Sequence, residues 1–223
     1  MKKRIVSMIL ALSMMLSILP VSAFADAGAW LSSAVEETNS IAYSSENEYE
    51  AVGTNSETNN QVVKIKIGTD GLPKAATGTG WSYDETTGLT ITGTGNGDIE
   101  YILDGTVSCN VTVKNVSGSI VYLMDGTVTG TLLIQADDTY GIYGVYVLGG
   151  RYANVELNNG TIDGGTYDKL TENGGNVRGG FFRDISGLST DTQREAHKLI
   201  LPENCTLNGR KETGDIYLIK RYS

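Results

Sequence analysis

Carboxylates and aromatic rings are the residues of this chain whose types and spacing suggest chemistry. Sugar cleavage usually needs two carboxylates across one bond, or acidic Ca²⁺ ligands with a basic proton acceptor. Asp137-Asp138, Asp163 and Asp168 supply carboxylates in one region. Asp104 and Asp125 each precede a glycine and read as ordinary turn residues. Tyr140, Tyr143, Tyr146 and Tyr152 lie close together, and exposed rings of this kind stack on sugar faces. Trp81 suits the same task, or burial at the first open end of a core. The candidate ligand-binding residues are therefore Tyr140, Tyr143, Tyr146 and Trp81, whereas Tyr152, Tyr167 and Phe182 read as an internal ladder.

No catalytic residue is assigned. His197 is the only histidine, and it lies outside the repeats described below. Cys109 and Cys205 are the only cysteines, too few to make a zinc site without a histidine cluster. They read either as a disulfide of an exported protein or as two small core residues. No serine, cysteine or phosphate-loop constellation is present, so neither a cofactor nor a metal is expected. Two classes of function follow. A non-enzymatic binding or scaffold module is preferred, because most of the carboxylates fall at turns. The alternative is a polysaccharide lyase or glycoside hydrolase.

These residues are positioned by a sequence that repeats itself at a fixed, fifteen-residue period. Gly160-Thr161-Ile162-Asp163-Gly164-Gly165-Thr166-Tyr167 is answered by Gly175-Asn176-Val177-Arg178-Gly179-Gly180-Phe181-Phe182. Val145-Tyr146-Val147-Leu148-Gly149-Gly150-Arg151-Tyr152 is an earlier copy lacking the first glycine. Val147, Ile162 and Val177 share one register, Tyr152, Tyr167 and Phe182 a second, and Val155, Leu170 and Ile185 a third. Self-similarity at a fixed period points to a coil stacked on itself. The expected class is all-β, a parallel β-helix (β-solenoid) with a short N-terminal strand region and a C-terminal cap. An antiparallel meander is the rival, but its turns do not demand one side-chain register over three copies. Leu103-Asp104-Gly105-Thr106-Val107 returns as Met124-Asp125-Gly126-Thr127-Val128, which extends the anchors to Val107, Val128, Val147, Ile162 and Val177. Stacking in register also predicts two charge pairs, Asp163 with Arg178 and Asp168 with Arg183.

Five regions follow along the chain. Lys2-Lys3-Arg4, an apolar run from Ile5 to Val21 and Ala23-Phe24-Ala25 make residues 1–25 a secretory signal peptide, with an uncleaved anchor as the alternative. Residues 26–60, rich in Ser, Asn and Glu, are expected to be a flexible linker with a short helical patch over 30–37. Residues 61–98 hold the first strands: Val63, Ile65 and Ile67 alternate with lysines, and Trp81-Ser82-Tyr83 pairs with Leu89-Thr90-Ile91-Thr92 as a hairpin. Residues 99–187 carry the repeats. Residues 188–223 form a cap, with a helix from Thr190 to Lys198 and closing strands at 199–201 and 216–219.

The whole chain has a formal net charge of −9. Loss of the leader's three basic residues leaves 14 Lys and Arg against 26 Asp and Glu, hence −12. That balance argues against nucleic acid and, after cleavage, against membrane surfaces as partners. A secreted or extracellular location is expected.

The run Asn158-Asn159-Gly160-Thr161-Ile162-Asp163-Gly164-Gly165-Thr166-Tyr167 resembles repeats of adhesin-like, exported surface proteins of gut Gram-positive bacteria. The segment from Trp81 to Thr92 is similar to the strands that lead into such repeats. The resemblance covers roughly residues 78 to 187. It implies β-solenoid architecture and a bacterial secreted or cell-surface protein that engages glycans or other surfaces. Ser223 ends the sequence without a sortase signal, so covalent attachment to the wall is not expected.

Overall fold

A computed structural model of the chain describes residues 41–116, 118–137, 144–202 and 205–220. The signal peptide, the first part of the expected linker, and Tyr140 and Tyr143 lie outside the described residues. The described chain is nearly all β, a parallel barrel-like core with extra strands. Among these residues no helix is long and apolar enough to cross a membrane.

The N-terminal strands are β1 (Ile41–Glu46), β2 (Glu50–Asn55), β3 (Gln61–Lys66), β4 (Thr77–Gly78), β5 (Trp81–Asp84) and β6 (Gly88–Ile91). The central ones are β7 (Ile99–Val107), β8 (Val111–Val113), β9 (Val121–Gln135), β10 (Val145–Val147), β11 (Arg151–Asn159), β12 (Thr161–Glu172) and β13 (Asn176–Asp184). A single-turn helix, Thr190–Arg194, precedes β14 (Ala196–Leu199), β15 (Thr206–Leu207), β16 (Arg210–Lys211) and β17 (Ile216–Lys220).

Three parallel ladders surround one core. The first runs β3, β7, β9, β10, β12, β13, and its pairings align Val63, Tyr101, Leu123, Val147, Ile162 and Val177 in one column. All six are buried. Burying each such side chain is worth roughly 1.5–3 kcal/mol, so the column outweighs any local propensity. The second ladder aligns Val107, Val128, Tyr152, Tyr167 and Phe182. The third aligns Leu89, Val111, Leu132, Val155 and Leu170. Parallel neighbours need a long return path, and here each ladder supplies it for the other two.

Sharp corners separate the ladders. An added Cβ at Gly164 would lie 2.0 Å from the Leu148 carbonyl oxygen, and Gly165 has φ +93°. The first position admits no side chain, and the second favours glycine by its backbone angle.

The repeat register holds across β10–β13, but the longer anchor series is corrected. Val128 lies against Tyr152, and Val147 against Leu123. The first column thus takes longer steps early, from Tyr101 to Leu123 and on to Val147, than late, from Val147 to Ile162 and Val177. Joining Val128 to Val147 fails because the two belong to different sides of the core.

The expected linker is corrected too. Residues 41–55 form a hairpin whose second strand pairs antiparallel with β3. Its composition is polar, but Ala51, Gly53 and Asn55 alternate as buried positions. Such a strand gains main-chain hydrogen bonds from the rim of the sheet without needing a core of its own. At the other end β17 pairs antiparallel with β13, and β14 with β17. The helix expected to reach Lys198 is a single turn, capped by the Ser189 side chain. Residues 196–199 are strand instead, and Ile200, expected in a closing strand, is 95 % exposed.

Candidate functional site

The outward positions of the first ladder carry the candidate platform. Side chains alternate across a strand, so the neighbours of buried Val121, Leu123, Val145 and Val147 point away from the core. Tyr122 and Tyr146 occupy those positions in direct register. Their rings stack with centroids 5.4 Å apart and planes at 27°, and both remain partly exposed. Tyr146 was legible as a candidate from sequence. Tyr122, on the preceding strand of the ladder, was not, because only the pairing of β9 with β10 shows that the two rings meet.

Acidic groups border the pair. Burial, then the charge of Asp98, then Tyr146 and Glu100 push the Tyr122 hydroxyl above its ordinary pKa, keeping it a neutral donor. Glu100 pairs with Tyr122 across the ladder and is almost fully buried. Its oxygens accept from Asn55 Nδ2 (2.9 Å), Thr58 Oγ1 (2.7 Å) and Asn60 Nδ2 (3.0 Å). Three neutral donors from the end of β2 and the turn after it thus hold this carboxylate.

Trp81 is removed from the candidate surface. It is 4 % exposed and packs in the core, with Nε1 donating to Glu50 Oε2 at 2.8 Å. A ring enclosed in this way offers no face to a sugar. Tyr152 and Tyr167 are fully buried, as the internal ladder requires.

The carboxylates do not converge on a cleavage site. Asp104 pairs with Lys64 Nζ at 3.4 Å, and Asp125 Oδ1 accepts from the Gly126 N–H at 2.7 Å. Asp137, just after β9, and Asp163, within β12, are exposed, and Asp138 lies outside the described residues. Asp163 faces Gly179 rather than Arg178, because a register shift follows Ile162. Asp168 does meet Arg183, with Nε 3.0 Å from Oδ1, and Arg151 Nη2 lies 3.5 Å from the same oxygen.

Sequence reasoning missed the centre of this second group. Glu212, from the segment after β16, is buried and pairs with both Arg151 Nη1 and Arg183 Nη2. Its segment has no repeat and no periodicity, so no sequence signal marked it. Asp168 thus lies among three arginines, Arg151, Arg183 and Arg210, away from any second carboxylate that could share a substrate bond with it. Among the described residues no three His, Cys, Asp or Glu side chains gather as metal ligands would. Cys109 and Cys205 are free thiols, both half-buried. Compared with known proteins, the chain matches no family model, no curated protein and no solved structure.

Proposed function

We propose that this chain is a secreted or cell-surface β-solenoid binding module, adhesin-like in use, that holds glycans weakly on the Tyr122–Tyr146 platform. The observation that carries the reading is the stacked, partly exposed pair of rings on the outside of a rigid ladder. A sugar ring lying on such a pair gains apolar contact with its C–H face, while the tyrosine hydroxyls and the exposed side of the ladder meet its hydroxyls. The platform sits on strands, so little order is lost on binding, but its small area limits affinity.

The solenoid reading rests on the three aligned columns and on the even spacing of the last coils. The leader-like start and the resemblance to repeats of exported surface proteins support the location. The engagement of Asp168 by three arginines weighs toward binding over cleavage.

The test is to incubate purified protein with plant and mucin polysaccharides, with and without Ca²⁺. Retention of a polysaccharide without new reducing ends or unsaturated products is expected. Products at enzyme-like rates would transfer the protein to the lyase or hydrolase class.

A further inference from the structure

The strand path of the main sheet is open at both ends. It begins at β1 and ends at β14, and among the described residues no strand pairs with the outer edge of either. Such edges present unpaired N–H and C=O groups, which a strand of another chain can satisfy. Ile200 stands out at the second end, because it is 95 % exposed within the apolar run Leu199-Ile200-Leu201. β14 stops at Leu199, which lies opposite Ile216, the first residue of β17. Ile200 and Leu201 therefore have nothing left to pair with on that side, and Pro202 closes the run. A strand added on the open side would let residues 196–201 order as one six-residue strand, the length of β1.

The two edges match each other better than either matches itself. Laid antiparallel, Ile41, Ala42 and Tyr43 face Leu201, Ile200 and Leu199, while Ser45 and Glu46 face Lys198 and His197. Ser44, which already drops out of the pairing with β2, drops out here too. Apolar residues thus meet apolar ones, and acid meets base. A parallel arrangement would set Glu46 against Leu201. Two β1 edges laid antiparallel would set Glu46 against Ile41, and two β14 edges would set Lys198 against Leu199. The surroundings carry the same polarity: residues 41–60 hold Glu46, Glu48, Glu50 and Glu57 with no Lys or Arg. β14 and β17 hold Lys198 and Lys220 with no Asp or Glu. Glu46 also has Lys66 at 3.1 Å and Lys198 has Asp215 at 2.7 Å, both pairs part-exposed, so charge here directs the pairing more than it strengthens it. Among the exposed large apolar side chains of the described residues, Tyr43, Tyr49 and Ile200 lie at these two ends and Val116 alone does not.

We propose that β1 of one copy pairs antiparallel with residues 196–201 of a second copy, so that chains join head to tail. The contact is heterologous, and a joined pair still has one free edge of each kind. Growth therefore continues past the dimer. No residue of the tyrosine platform takes part, and the proposal does not depend on glycan binding.

The experiment is sedimentation equilibrium of the chain without its leader, residues 26–223, at rising concentration. The weight-average mass is expected to climb past that of a dimer. Ile200→Lys and Tyr43→Lys each place a charge on one edge at an exposed position. Each should weaken self-association roughly tenfold or more while leaving the melting temperature nearly unchanged. Mixed together, the two variants should form a heterodimer and stop there, because the first keeps an intact β1 edge and the second an intact 196–201 edge. A mass that stays at the monomer, or levels off at the dimer, would overturn the proposal. So would unchanged association in Ile200→Lys, or a mixture that forms no heterodimer. Association that appears only after residues 26–40 are removed would assign the β1 edge to the chain's own preceding segment and overturn it as well.

Discussion

Tyr152 and Tyr167, equivalent positions of successive repeats, stack with ring centroids 5.4 Å apart, and Phe182 continues the column 4.8 Å beyond Tyr167. Each tyrosine hydroxyl donates to the carbonyl three residues before it, Gly149 at 2.8 Å and Gly164 at 2.6 Å. One ring thus fills the core and ties down its own corner. Tyr167→Ala should cost about 3–5 kcal/mol in urea unfolding, against under about 1 kcal/mol for Tyr146→Ala on the outside. Similar losses at both positions would contradict the division into internal ladder and external platform.

The same corner sets a second expectation. Gly164→Val drives a side chain into the Leu148 carbonyl, whereas Thr166→Val keeps shape and loses only an acceptor for Asn208. The first variant should be less stable than the second by about 1–3 kcal/mol. Equal melting temperatures would show that the corner is not packed as described.

Much of this was legible because side-chain columns repeat in sequence when the segments between paired strands have equal length. Val147, Ile162 and Val177 announce their pairing by their even spacing. The earlier segments differ in length, so Tyr122 and Tyr146 have no fixed spacing to betray that they touch. Glu212 and the 41–55 hairpin escape for another reason. Each is stabilised by groups far along the chain, two arginines in one case and the free edge of β3 in the other. Composition alone made the hairpin look disordered.

Charge pairs offer a third test, because register shifts spoil one pair and spare the other. Asp168 and Arg183 should show a coupling of about 0.5–1 kcal/mol in a double-mutant cycle, modest because both are partly exposed. Asp163 and Arg178, out of register, should couple by less than about 0.3 kcal/mol. Reversed values would remove the bulge after Ile162.

Alkaline stability follows from the buried phenols. Burial holds the hydroxyls of Tyr101, Tyr152 and Tyr167 above their ordinary pKa of 10.0, with Glu50 adding to the effect at Tyr101. The unfolded chain releases these protons near pH 10, while the fold keeps them. Their contribution is therefore complete below about pH 10 and declines above it, by up to about 1.4 kcal/mol per pH unit for each ring. Urea unfolding between pH 8 and 11 should show this fall, and Tyr152→Phe with Tyr167→Phe should make it shallower. An identical slope in that variant would mean that the rings ionise freely in the fold.

The platform is tested most directly by measuring glycan affinity in the protein and in Tyr122→Ala with Tyr146→Ala, using whichever polysaccharide the screen retains. Base stacking on aromatic rings loses roughly 1–3 kcal/mol on alanine substitution, and a sugar face should lose toward the low end of that range. The account predicts a dissociation constant raised about tenfold or more, with the melting temperature nearly unchanged. Full affinity in the double variant would contradict it.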